Sequence, residues 1–580
     1  MDDVVAKPDG RWHPGAGARP VSGNDFAPAG RWFGPADRPL AGWWTAPARD
    51  SLDGVVIAPP LGYEYWSTHR SLRTLAESLV HIGWHALRFD WDGTGDSAGD
   101  PADPNRVAMW RASLACAVAE MREAGLERIV VMGVRLGATF ALLDGAALGA
   151  DAVVACAPLS SGKHWLKELR MLGIAAPDAP GAVTYAGLIV NAADVADLAN
   201  VDLVKRPPAA TRRCLLVTRT ESLDRNLIAA LRSDGRAIDV HQCQAMTRML
   251  DVPCEDAEVP GDLIPHIVAW LGEARTSTRR FRARARTATD VPWKNRLLRE
   301  HFVRIDGLAA VLCSLPGCNP DTAVVFLNSG SESHVGPGRA WVDYSRTLAL
   351  HGHACFRTDF SGWGESPDEA HAPGRPYDAH CIADTLRIVA ALRERHAHVV
   401  LVGLCASAWV ALKAAQLTPV DGVFAVNPQL YWRPGDPVEA LIADTRRRRA
   451  KARAREALGG RVGLWSMLDA IGVRPMASHW LASLRRRHIP VLLCFAEGDD
   501  GLVFLRNRCG RRLAHEMRRG MIQLAEIPGI DHQMYRLWRR RPVEEQLARF
   551  VASLTARKAG RGSLNEVPGP QRCADGMLPE

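Results

Sequence analysis

The sequence repeats itself at long range. The string RFDWDGTGDS, Arg88 to Ser97, returns as RTDFSGWGES, Arg357 to Ser366, sharing R-x-D-x-x-G-x-G-x-S at a displacement of 269 residues. RIVVMGVRLGATFALL, Arg128 to Leu143, returns as HVVLVGLCASAWVALKAA, His398 to Ala415, at 270. DAVVACAP, Asp151 to Pro158, returns as DGVFAVNP, Asp421 to Pro428, also at 270. Three matches in one order at a near-constant offset are not a chance pattern, and the period far exceeds a solenoid unit. The chain is therefore expected to be two copies of one domain. The expected boundaries are an N-terminal extension over 1–30, a first domain over 31–273, an arginine-rich linker over 274–298, a second domain over 299–556 and a disordered polar tail over 557–580. A length of 580 residues with 47% hydrophobic and 23% charged side chains suits two sizeable cores.

Each copy alternates short apolar, β-branched runs with segments of helical period. That pattern predicts an α/β fold, a mostly parallel sheet with helices on both faces. In the second copy the strands are expected at AVVFLN, ACFRTD, HVVLVG, GVFAVN, PVLLCF and IQLAEI, with helices such as WVDYSRTLALHG and AHCIADTLRIVAALRERH between them.

Several function classes are disfavoured. The net charge of +8 concentrates in Glu273 to Asp290, with six arginines, and in Arg446 to Arg455, RRRRAKARAR, neither interleaved with aromatics as a nucleic-acid stacking surface would be. The apolar stretch Ile129 to Pro158 is broken by Arg135, Asp144 and Asp151, so no transmembrane segment is expected. The thirteen cysteines make no C-x-x-C pair and the N-terminus carries no apolar signal region, which predicts a cytoplasmic location. Neither metal-ligand spacing nor a nucleotide-binding glycine fingerprint is present, and no cofactor is expected.

The displaced strings at 133–137 and 403–407 have the layout of a strand, a sharp turn and a helix. Gly403, Cys405 and Ser407 hold the marked positions of a G-x-S-x-G turn, and Gly133, Arg135 and Gly137 hold them in the first copy. With the D-x-x-G-x-G-x-S loops, these turns make both halves resemble α/β-hydrolase folds, from about Arg31 to Leu554. More narrowly, NSGSESHVGPGR and GLCAS, with PPLGYE and GVRLGA in the first half, resemble the bacterial hydrolase-like proteins found beside exopolysaccharide and exosortase systems.

The resemblance implies a nucleophile, an acid and a base in that order. Cys405 stands at the turn; Ser407 is rejected because centring the motif on it would put Trp409 where a small residue is needed. A thiol needs less activation than a hydroxyl, and cysteine serves in this role in dienelactone hydrolases. The acid is Asp499 or Asp500 after PVLLCFAEGDDG, with Asp499 favoured by the G-D-x-G string, and His532 follows the last expected strand. The oxyanion donors would be the N–H of Ala406 and that of Gly330 or Ser331. His334 and Arg339 either face the site or brace the loop, and residues 431–487 fall where this fold inserts a lid.

The first half differs. Arg135 cannot attack a carbonyl, no histidine follows in the base region before His266, which lies in a helical pattern, and the acid position is open between Glu221 and Asp224. This half is expected to be an inactive copy that either supports its neighbour or binds a carboxylate through Arg135. Two functions follow: a cysteine-dependent ester or thioester hydrolase or acyltransferase acting on a small-molecule or carrier-bound acyl substrate, or a non-catalytic binding module of a polysaccharide or lipid pathway.

Overall fold

The computed structural model describes residues 29–558 except 175, 177, 178, 210, 234–237, 280–285, 369–375 and 431–476. Almost all of the expected N-terminal extension and tail, and the expected lid up to residue 476, lie outside the described residues.

The first half contains strands β1 (Ala29–Phe33), β2 (Leu40–Thr45), β3 (Asp53–Ala58), β4 (His85–Phe89), β5 (Arg128–Val134), β6 (Ala152–Cys156), β7 (Val183–Tyr185), β8 (Leu188–Val190), β9 (Arg213–Thr218) and β10 (Ile238–Gln242). Eight of them form one sheet in the order β1-β2-β4-β3-β5-β6-β9-β10, and β7 and β8 make a separate hairpin. The second half contains β11 (Ala288–Trp293), β12 (Arg296–Ile305), β13 (Leu308–Ser314), β14 (Thr322–Phe326), β15 (Ala354–Thr358), β16 (His398–Leu404), β17 (Gly422–Val426), β18 (Val491–Ala496) and β19 (Ile522–Ile527). Its sheet runs β11-β12-β13-β15-β14-β16-β17-β18-β19. From β2 and from β13 onward the two orders are the same, so the sequence repeat is a repeat of topology. Strands such as VVMGV of β5 and VLVGL of β16 are buried along their length. Their near-continuous apolar runs are what a parallel strand covered by helices on both faces requires.

The expected linker over 274–298 is corrected by the structure. Residues 288–298 are sheet: β11 pairs antiparallel with β12 from Ala288 opposite His301 to Trp293 opposite Arg296. Lys294 and Asn295 turn between them at φ 47° and 62°, the two positive values that a two-residue hairpin turn of this hand demands. Val291 and Leu298 are fully buried: Leu298 packs into the core of the second half, and Val291 packs with Trp32, Ala41 and Ala98 of the first.

The halves meet through their repeated R-x-D-x-x-G-x-G-x-S loops, and the contact has an approximate two-fold character. Arg88 of the first half donates to both oxygens of Glu365, at 2.9 and 2.6 Å. Its counterpart Arg357 donates to Asp96, the counterpart of Glu365, at 2.9 Å. Arg73 donates to the carbonyls of Gly364 and Ser366, and Arg346, in the matching RTLA string, donates to the carbonyl of Asp96. His334 lies across the junction, with Nδ1 2.6 Å from Asp359 and Nε2 2.7 Å from Asp96. Arg88, Glu365, Arg357, Asp96 and His334 are all buried, so each charge needs the partner that the other half supplies.

Candidate active site

Cys405 is the single residue between the end of β16 at Leu404 and the helix Ala406–Leu417. It is held at φ 55°, ψ −108°, a conformation that costs a non-glycine residue on the order of 1–3 kcal/mol. Arg135, between β5 and the helix Leu136–Asp144, has φ 55° and ψ −118°. The same reversal is thus built twice. Its tightness explains the glycines: a Cβ on Gly403 would fall 2.4 Å from the Ser407 carbonyl carbon, and one on Gly133 would fall 2.3 Å from that of Gly137. The Ser407 hydroxyl accepts from the N–H of Leu404 at 2.9 Å and donates back to its carbonyl at 3.1 Å, bracing the turn.

Two side chains reach the Cys405 sulfur. One is His532, whose imidazole feels the charge of the sulfur; the other is Tyr377, whose hydroxyl is 3.4 Å away. His532 Nδ1 lies 2.6 Å from Asp499 Oδ2. Asp499 Oδ1 also accepts from the N–H of Gly501 at 2.8 Å, so this carboxylate caps the helix Asp500–Arg518 and orients the imidazole at once. Asp500 is the first residue of that helix. Burial works to discharge His532, but the Cys405 sulfur and the Asp499 carboxylate outweigh it and hold the imidazole well above its usual range. Asn427, at the end of β17, donates to the His532 carbonyl at 2.8 Å and accepts from the N–H of Ala496 at 2.7 Å, tying the base loop to the acid strand.

Ala406 opens the helix after Cys405, and Gly330 sits at φ 54° in the loop after β14. Among the described residues no acceptor takes either N–H. The Ser331 backbone differs: its dipole acts on the Cys254 thiol of the first half, which burial nonetheless holds well above its ordinary value. The next residue, Glu332, is buried and accepts from the Tyr535 hydroxyl at 2.8 Å, while its Oε2 has no partner. Burial pushes its carboxyl up to about 8, against the lowering effect of the Tyr535 hydrogen bond.

His334 and Arg339 brace the loop. Both nitrogens of His334 are engaged, as described above, and Arg339 donates to the carbonyls of Gly95, Ser97 and Gly99 in the first half. Arg135 is also engaged, by Glu64 at 2.6 Å and Glu168 at 3.4 Å. Asp224 lies in the field of Arg219 and Arg135. His266 is away from this turn, stacked on His241 with ring centroids 3.6 Å apart. Tyr377, Asn427 and the partners of Arg135 escaped the reading of the sequence. The one available signal for Tyr377 was a bulky residue after Pro376, just ahead of an expected helix. Among the described residues, no group of His, Cys, Asp and Glu side chains is arranged to hold a metal ion, and no helix is long and apolar enough to cross a membrane.

No curated protein sequence matches this chain. Among solved structures, Est1E from Butyrivibrio proteoclasticus with ferulic acid bound is 16% identical, covering 40% of this chain and 94% of its own, at a TM-score of 0.32. Dienelactone hydrolase from Anabaena variabilis is 15% identical, with coverages of 43% and 95% and a TM-score of 0.29. Proline iminopeptidase from Mycobacterium smegmatis is 14% identical, with 42% and 97% covered and a TM-score of 0.30. The sheet order, the two elbows and the helices packed against them are those of the alpha/beta hydrolase fold, and residues 324–560, from β14 through the last helix, match the alpha/beta hydrolase family.

Proposed function

We propose that the second half is a cysteine-dependent hydrolase of acyl esters or thioesters, or an acyltransferase using the same covalent step. The observation that carries this reading is the 2.6 Å contact of Asp499 with His532, whose imidazole interacts with the Cys405 sulfur at the elbow. In the proposed reaction the imidazole takes the thiol proton at Nε2 while Asp499 holds Nδ1–H. The sulfur attacks the acyl carbonyl carbon, and the carbonyl π electrons move to oxygen, where the N–H groups of Ala406 and Gly330 meet the developing charge. Collapse expels the alkoxide or thiolate leaving group, which takes the proton back from His532 and leaves an S-acyl enzyme. Water or another acceptor, deprotonated by His532, then releases the acyl group and restores the thiol.

The first half is proposed to be a non-catalytic support. Its elbow keeps the backbone, but the side chain there is a guanidinium already neutralised by Glu64 and Glu168. A carboxylate ligand would have to displace both.

Turnover of short p-nitrophenyl esters and acyl thioesters tests the reading. Cys405→Ala should abolish it and His532→Ala should lower it by about 10²- to 10⁴-fold, the usual contribution of a general base. Full activity in Cys405→Ala would refute the assignment.

A further inference from the structure

We propose that Tyr377 is a catalytic residue of this site, its hydroxyl donating a hydrogen bond to the Cys405 sulfur whenever that sulfur carries negative charge; the inference rests on the reading of Cys405 as the nucleophile. The distance of 3.4 Å is within reach of a sulfur hydrogen bond, and the contact comes from the segment before the helix Ala379–Arg393, separate from the base loop. His532 and Tyr377 thus reach one sulfur from two different segments. The sulfur is a thiolate before it attacks and again when deacylation releases it. At both moments His532 carries the proton, and Tyr377 supplies a second donor that stays neutral and consumes nothing.

The backbone at Tyr377 supplies the independent argument. In each half a proline precedes a left-handed residue just before the helix that follows the D-x-x-G-x-G-x-S loop: Pro104 and Asn105 at φ 60°, Pro376 and Tyr377 at φ 68°. The two positions are not equivalent: Asn105 is itself the cap of its helix, whereas Tyr377 stands one residue before the cap Asp378. Asparagine tolerates that conformation, whereas a bulky aromatic residue does not, and such outliers gather where a side chain is needed for function. In the second half the elbow holds Cys405, and the residue before the cap of the helix Ala379–Arg393 is a tyrosine at φ 68°. Its ring is 5% exposed and packs edge-on against Trp409 of the elbow helix, with centroids 5.6 Å apart, which fixes where the hydroxyl points.

The test is Tyr377→Phe in the full-length chain, which keeps the ring and removes the donor. Alkylation of Cys405 by iodoacetamide, followed by mass spectrometry across pH, reads the sulfur without requiring turnover. The expected result is an upward displacement of the alkylation midpoint by about one pH unit, the order of one hydrogen bond to a charged group, with an unchanged melting temperature. In turnover assays kcat should fall about 10-fold with little change in KM. A phenylalanine variant whose alkylation profile superposes on that of the parent would overturn the proposal, even if the Cys405→Ala control shows that the nucleophile is correctly placed. Should Tyr377→Phe also lower the melting temperature, the same substitution is made in the Cys405→Ala background. An equal loss there would assign the effect to packing and overturn the proposal; a loss confined to the cysteine-containing chain would support it.

Discussion

Arg135 and Cys405 share one backbone geometry and differ in what surrounds the side chain. Around Cys405 the neighbours are a base and a hydroxyl; around Arg135 they are two carboxylates. Removing the guanidinium in Arg135→Ala leaves Glu64 and Glu168 without the cation between them, with Arg219 the remaining positive charge acting on Glu64. Glu168 is half exposed, so the penalty is smaller than for a dry pair and should be about 1–3 kcal/mol. Chemical denaturation should show that loss, while ester turnover by the second half stays within twofold. A large loss of turnover would mean that the first elbow takes part in the chemistry. Glu332 gives a prediction of pH dependence. Its carboxyl is protonated in the folded chain up to about 8, whereas an unfolded glutamate ionises near 4.3. Between those values the unfolded chain binds fewer protons, so this group makes stability fall as pH rises through the window and level off above it. Glu332→Gln keeps an acceptor for Tyr535 and removes the titration. It should gain roughly 1–3 kcal/mol over the parent at pH 8.5 and nothing at pH 4; melting curves of the two proteins that run parallel across this range would contradict the assignment.

At the scale of elements, the elbows turn on glycines that no side chain can replace. Gly403→Ala would drive a methyl into backbone at 2.4 Å, where nothing flexible can yield, so the second half should lose at least about 3 kcal/mol and turnover with it. Retention of a parental melting temperature would show that β16 and its helix can separate. These elements were readable because their rules are local. Buried parallel strands announce themselves as apolar runs, and the spacing around Gly403 and Cys405 carries the steric demand directly. Asp499 and His532, singled out by their order along the chain, lie 2.6 Å apart because the fold returns to the same edge of the sheet after each crossover. What stayed hidden depends on contacts distant in sequence. The β11–β12 hairpin looked like a linker because arginines surround it and only Val291 and Leu298 show which face is buried. Tyr377 sits in an irregular segment with no period to read. His334 and Arg339 left two readings open because the choice rests on carbonyls and carboxylates of the other half, more than 200 residues away.

At the scale of the whole molecule, the interface is a self-complementary patch that occurs twice in one chain. Each copy offers an arginine, Arg88 or Arg357, and an acid, Asp96 or Glu365, and each arginine takes the other copy's acid. Two copies of one patch related by a two-fold are the geometry of an isologous dimer interface. Burial would raise Asp96 and Glu365, but Arg357 and His334 on one side, and Arg88 and His69 on the other, hold both carboxyls well below their usual range. A depressed carboxylate contributes stability that is complete above the unfolded value near 4 and is lost as pH falls through the folded one. His334 has the opposite sign, raised by Asp359 and Asp96 against burial, so its contribution is complete below about 6.5 and fades only as pH rises through its folded value. The junction therefore holds best between those limits. The duplicated patch makes a specific claim about residues 29–279 expressed alone. That fragment exposes Arg88 and Asp96 together with Arg73, so two copies can satisfy each other: Arg88 of one reaches Asp96 of the next, and Arg73 reaches the carbonyls of Gly95 and Ser97. Tyr65 stands where the second half has His334, so the pair lacks the cation that bridges two carboxylates in the intact chain and should be weaker than the native junction. Sedimentation equilibrium should find a dimer at tens of micromolar near pH 6, dissociating as the acid is protonated below pH 4, and Arg88→Glu should convert it to a monomer. A fragment that is monomeric and stable under those conditions would mean that the charges at the junction are held by the covalent connection and do not themselves hold the halves together.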